Sequence, residues 1–152
     1  MLFRSYFRYY LNQALKASGL GDQFLDNLQI WRDQMALGLT TWAEMPEPSR
    51  SDCHAWGASP NIEFYRILLG IDSDAPGFRK IRIAPSLGKL KEVSGTIPHP
   101  LGSVTAAYKL NERGEGTARL VLPEGTTGIF IWDGKEIPLK PGEQVISLSS
   151  RH

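Results

Sequence analysis

IDSDAPGF, residues Ile71–Phe78, is where the chain changes character. Upstream of it the apolar residues recur every third or fourth position, and downstream every second. The first period belongs to a helix with one buried face, the second to a half-buried strand. The stretch therefore predicts an α+β chain in two parts: helical hairpins over residues 1–70, a linker over 71–77, and an antiparallel β-sandwich over 78–149.

Working upstream, Phe3, Tyr6, Phe7, Tyr10, Leu11 and Ala14 outline a helix with a wide apolar face. Gly19 and Gly21 end it, and Asp22 is placed to cap the next helix. Phe24, Leu25, Leu28, Trp31 and Met35 repeat the pattern to about Gly38, and so short a joint makes an antiparallel hairpin. Ser59-Pro60 reads as a cap followed by proline at a first helical position, with Ile62, Tyr65, Leu68 and Leu69 facing inward and Gly70 closing the helix. An equally compatible reading starts this helix near Asp52 and bends it at Pro60. These stripes hold more bulky aromatics than two or three helices bury against each other, so something further must cover the remainder.

Downstream, Ile81 and Ile83 alternate with charges, Val93 and Ile97 flank Gly95, and Val104, Ala106, Tyr108 and Leu110 follow the PHPLG turn. Ala118, Leu120 and Leu122, then Ile129–Trp132, then Val145–Leu148 complete the series. Asp133-Gly134 after an apolar run signals a hairpin. Short strands between Gly/Pro/Asn turns give the sandwich.

The totals exclude several function classes. Seventeen basic and sixteen acidic side chains in 152 residues leave a net charge of +1 without a long like-charged block, so no nucleic-acid partner is expected. No run reaches the roughly 18–20 apolar residues that span a bilayer, so no membrane partner is expected either. MLFRSYFRYYLNQALK lacks the order of a signal peptide. Cys53 is the sole cysteine, which rules out an intrachain disulfide and leaves the compartment open. One cysteine and three histidines show no zinc-site spacing, and no metal or other cofactor is expected.

The chemistry concentrates in TTWAEMPEPSRSDCHAW, Thr40–Trp56. Glu44, between Trp42 and Pro46, is either a carboxylate facing a loop-lined cavity or a solvated or capping side chain. His54 either bonds sugar hydroxyls or is a partly buried histidine bonded to backbone. Trp42 and Trp56 offer flat faces for a pyranose ring, or fill a core. A carboxylate beside such faces suits sugar hydrolysis, where a base draws a proton from water. Arg50 and Asp52 pair with each other, brace the loop or touch substrate. Trp31 reads as core, and Cys53 beside His54 is not placed as a nucleophile.

TTWAE, PEPSRSDCHAWGASP, LLGI, APGF, KIRIAPSLG and GTIPHPLGSV together resemble the carboxy-terminal end of bacterial α-L-rhamnosidases, firmly from about Thr40 to Val104. The resemblance implies that residues 1–70 are the last helices of a six-hairpin α/α toroid and that 78–149 are the sandwich following it. It implies hydrolysis of terminal α-L-rhamnose from glycosides or polysaccharides with inversion. In the Thr-Thr-x-x-Glu pattern Glu44 takes the place of the general base, His54 falls where a histidine contacts the sugar, and Trp42 and Trp56 fall where aromatic walls stand. The general acid lies upstream in that family and has no counterpart here, so the chain is expected to be a fragment, inactive alone, that self-associates through exposed helical faces. The alternative is a non-catalytic carbohydrate-binding or structural module of a larger enzyme.

Overall fold

The computed structural model describes residues 5–150, and the chain divides into two compact units between Phe64 and Tyr65. Phe3, counted above in the first apolar stripe, lies outside the described residues.

The first unit is helical but broken. Helix α1 runs over Phe7–Ala17 and α2 over Gln29–Ala36, with 3-10 turns at Gly21–Gln23 and Asp26–Leu28 between them. Gly19, at φ 76°, follows Ser18 and ends α1 as its position predicts. Asp22 is not at the N-cap: it sits in the first turn of a 3-10 helix whose N-cap is Leu20. Polar and glycine residues dilute the stretch between Ser18 and Asn27, and only short turns form there.

The apolar stripe of α1 points outward. Phe7, Tyr10 and Leu11 are exposed, whereas Asn12 and Leu15 face the interior. On α2 the interior takes Ile30, Trp31 and Gln34 and leaves Met35 outside.

The third helix starts at Pro60, as Ser59-Pro60 suggests, with a 3-10 turn before it. A 3-10 turn at Ala55–Ala58 leads into α3, Pro60–Glu63, and a π-helical turn follows at Phe64–Leu68. Ser59 has helical dihedrals and makes no capping bond. A π turn carries one residue more than an α turn and rotates the following face. The buried set is Glu63, Ile67, Leu68 and Leu69, so Leu68 and Leu69 face inward as their spacing predicts, while Ile62 and Tyr65 are exposed.

The second unit is the β-sandwich, with strands β1 Ile71–Ser73, β2 Lys80–Ile83, β3 Glu92–His99, β4 Gly102–Leu110, β5 Gly116–Leu122, β6 Thr127–Trp132, β7 Lys135–Leu139 and β8 Gly142–Leu148. One sheet has the order β1-β2-β6-β7 and the other β3-β4-β5-β8. Their inner faces supply a single core that includes Ile81, Ile83, Val104, Tyr108, Leu120, Phe130 and Trp132. The two in-strand prolines, Pro98 and Pro138, both lie on edge strands, where a missing N–H costs no ladder bond.

Two expectations change here. The stretch 71–77 is not a linker, because its first three residues form β1 and pair with β2. The sandwich is also not wholly antiparallel, since β2 and β6 pair in parallel. Three strands of the other sheet lie between them in sequence. A chain that reverses at each of the four connections enters β6 in the direction of β2. Asp133 and Gly134, at φ 50° and 72°, make the tight β6–β7 turn that their sequence signals.

Candidate functional site

The segment between α2 and α3 folds back on itself as two arms. His54 N–H donates to the Trp42 carbonyl at 2.7 Å and Glu44 N–H to the Ser51 carbonyl at 2.9 Å. Thr41 Oγ1 adds a bond to the Asp52 carbonyl at 2.6 Å. Prolines at 46 and 48 cannot donate to a ladder, so the bend between the arms stays irregular.

The arm carrying Glu44 is anchored from three sides. Gln34, buried on α2, accepts from Ala43 N–H at 2.9 Å and points its amide nitrogen at the Ala43 carbonyl, 3.4 Å away. Ser5 donates through its hydroxyl to the carbonyls of Ala43 and Glu44, both at 2.8 Å, and through its N–H to Glu44 at 2.9 Å. Every one of these groups would cost free energy if buried without a partner.

Glu44 itself is buried, with 7% of its side chain exposed against 65% for Arg50. Arg50 Nε donates to Glu44 Oε2 at 3.1 Å and Arg50 Nη2 to Glu44 Oε1, a two-pronged ion pair. The hydrogen bond and then the charge of Glu44 raise the Arg50 pKa. A carboxylate inside a protein needs such a partner to remain charged. The Arg50–Asp52 pair considered from sequence does not form: Arg50 turns to Glu44, and Asp52 is exposed.

The expected flanking tryptophans part company. Trp56 is 68% exposed, and its ring meets the His54 imidazole edge-on at 6.0 Å and Tyr6 at 5.5 Å. It borders a hollow of about 500 Å³ with Tyr6, Tyr9, Tyr10 and Ile62. Trp42 is half-buried and borders another hollow, of about 350 Å³, with Leu28, Trp31 and Phe64. Gly57 packs on Trp42, where a Cβ would stand 2.7 Å from the Trp42 Cβ, and its carbonyl accepts the Trp31 indole N–H at 2.6 Å. Trp31 is core, as its stripe predicts.

The structure thus brings Glu44, Arg50 and His54 onto one closed loop, with Trp56 against His54 and Trp42 turned toward a separate wall. Sequence reasoning missed Gln34 and Ser5, whose bonds hold the Glu44 backbone. It also missed Glu63, a buried carboxylate that accepts from Gln13 Nε2. Gln34 carried a signal, being the one polar residue on the Ile30–Trp31 face. Among the described residues no three His, Cys, Asp or Glu side chains gather as metal ligands, and no helix is long and apolar enough to cross a membrane.

Residues 70–144 match the family described as the bacterial alpha-L-rhamnosidase C-terminal domain. No curated protein sequence matches the chain. Among solved structures, the α-L-rhamnosidase of Aspergillus terreus is similar over 92% of this chain and 18% of its own, at 19% identity and a TM-score of 0.81. The family GH78 rhamnosidase of Bacillus sp. GL1 is similar over 84% of this chain and 16% of its own, at 26% identity and a TM-score of 0.70. The Streptomyces avermitilis α-L-rhamnosidase, solved in complex with L-rhamnose, is similar over 80% of this chain and 14% of its own, at 19% identity and a TM-score of 0.60. The chain spans less than a fifth of each of these proteins.

Proposed function

We propose that the segment, whose residues 70–144 match the family described as the bacterial alpha-L-rhamnosidase C-terminal domain, serves as the carboxy-terminal part of an inverting α-L-rhamnosidase and supplies its general base, Glu44. In this reading residues 1–64 are the closing helices of a larger helical ring. The outward stripe of Phe7, Tyr10 and Leu11 is the face that the rest of the ring covers.

The chemistry follows from the carboxylate. An ionised Glu44 accepts a proton from water as the water oxygen bonds to the anomeric carbon. The glycosidic oxygen leaves from the opposite face, protonated by a carboxylic acid on another segment. Attack opposite to departure inverts the anomeric centre. His54 would bond a ring hydroxyl, and the exposed face of Trp56 would pack against the C–H groups of the sugar. Trp42 would act as a wall beneath the loop.

The observation that carries the reading is a buried glutamate paired two-pronged with Arg50 on the same closed loop as His54. Burial together with a specific charge partner is one arrangement by which functional sites set a carboxylate's charge, and structural ion pairs share it. The test is a chimera in which this chain replaces the matching carboxy-terminal portion of the Bacillus sp. GL1 rhamnosidase. Hydrolysis of an aryl α-L-rhamnoside should fall by about 10²–10⁴-fold on Glu44→Gln. Undiminished turnover by that variant would remove Glu44 from the reaction. The 152-residue chain alone should show no turnover, because it carries the base without the acid.

One observation favours the second reading, a non-catalytic carbohydrate-binding or structural module: both Glu44 oxygens are engaged by Arg50. Under that reading the chimera's activity would be indifferent to Glu44.

A further inference from the structure

We infer that Arg50 is the positioning residue for Glu44: its planar guanidinium, and not the loop backbone alone, sets the orientation of the carboxylate. The inference rests on the reading of Glu44 as the base and adds to it a residue on which that base depends.

The backbone around Glu44 is pinned on both sides. Its N–H is tied to Ser51, its carbonyl to Ser5, and the preceding residue to Gln34. Those bonds fix the Cα and the direction in which the side chain leaves it. Three side-chain torsions remain, the last of them broad, so the carboxylate plane is left undetermined by the backbone. Arg50 stands on the facing arm, next to the residue that accepts the Glu44 N–H. It presents two donors of one rigid plane, Nε to Oε2 at 3.1 Å and Nη2 to Oε1. Two parallel bonds between planar groups fix both the position and the tilt of the carboxylate.

The fork does not disable a base. Each carboxylate oxygen has two acceptor directions, and the two-pronged contact uses one on each. Arg50 keeps most of its side chain in solvent while Glu44 is buried, so the arginine bears little desolvation. A lysine in its place would supply the charge but only a point contact, leaving the plane free to turn. Geometry and charge are therefore separable by Arg50→Lys.

The test uses the 152-residue chain. In the wild type the Arg50 Nε–H should exchange with water roughly tenfold more slowly than that of an exposed arginine such as Arg113, and the difference should disappear in Glu44→Gln. L-Rhamnose affinity, read by NMR titration, should fall about fivefold in both Arg50→Lys and Arg50→Gln. Neither substitution should weaken binding further in a Glu44→Gln background. Wild-type affinity in Arg50→Lys would overturn the inference, since charge alone would then suffice. Equal losses with and without Glu44 would also overturn it, because Arg50 would be acting elsewhere. If the wild-type chain alone binds no rhamnose, the chimera still tests the proposed function and the exchange measurement decides the role of Arg50 alone. Slow exchange that depends on Glu44 upholds Arg50 as its partner, and fast exchange in the wild type refutes it.

Discussion

Replacing Gln34 by leucine isolates the bond that holds the arm of Glu44 in place. Gln34 is 3% exposed and Ala43 1% exposed, so water cannot substitute for the amide. Leucine fills similar space and removes both polar contacts. The Ala43 carbonyl keeps its bond from Ser5 Oγ at 2.8 Å, and the Gln34 contact it loses is a long 3.4 Å. The Ala43 N–H, bonded to Gln34 Oε1 at 2.9 Å, is left with no acceptor. Orphaning one buried donor costs about 1–3 kcal/mol. Ser5→Ala provides the contrast. It removes two bonds of 2.8 Å, yet the Glu44 carbonyl retains Ser5 N–H and the Ala43 carbonyl retains Gln34, so no group is stranded. Its cost should be about 0.5–1.5 kcal/mol, the net value of a hydrogen bond whose partners stay satisfied. Urea unfolding followed by tryptophan fluorescence reports on this unit through Trp31, Trp42 and Trp56. A Gln34→Leu loss smaller than that of Ser5→Ala would refute the reasoning, because the variant that strands a donor should cost more than the one that strands none.

Further outcomes follow from the same structure. Gly70 and Gly134 have nearly the same φ, 74° and 72°, but a Cβ on Gly70 would lie 2.2 Å from the Ala84 carbonyl carbon, whereas Gly134 has open space around it. Gly134→Ala should cost about 1–2 kcal/mol, the left-handed penalty alone, and Gly70→Ala distinctly more by thermal unfolding; equal losses would mean the backbone near Ala84 yields freely. The hydrogen bond from Arg119 holds the Glu143 carboxyl below its ordinary pKa. A depressed carboxyl stabilises the fold above its unfolded pKa and loses that contribution as pH falls through its folded value. The small stability gap between wild type and Glu143→Gln should thus close in acid, and a gap that widened would reverse the assignment. Tyr10, 59% exposed beside Phe7 and Leu11, should mediate self-association of the chain. Sedimentation should show a dimer weakened by Tyr10→Lys, and a monomeric wild type would contradict this.

The strands were legible because burial alternates along them. The positions Val104, Ala106 and Tyr108 face the core as their spacing predicts, and Asp133-Gly134 has the dihedrals its sequence demands. β1 was hidden because three residues, IDS, give no period, and the parallel β2–β6 pairing because direction depends on the strands between. The helices were less legible. Apolar spacing marked the stripe of α1 but not which way it faces, since Phe7, Tyr10 and Leu11 are exposed while Asn12 is buried. In the third helical stretch Leu68 and Leu69 are buried as their spacing predicts, but Ile62 and Tyr65 are exposed, and the π turn at Phe64–Leu68 leaves no trace in hydrophobic period. At the candidate site, residue types single out Glu44 and His54 as candidates, but the partner of Glu44 could not be read. Arg50 and Asp52 are two positions apart in sequence, and only the closure of the 41–54 arms turns Arg50 toward the carboxylate instead.

The central claim is that Glu44 belongs to a rhamnose-binding loop. NMR titration of the wild-type and Glu44→Gln chains with L-rhamnose tests it most directly. The account predicts saturable shifts at Trp42, Glu44, His54 and Trp56, with an affinity at least several-fold weaker in the variant. Shifts absent from this loop, or unchanged by Glu44→Gln, would contradict it.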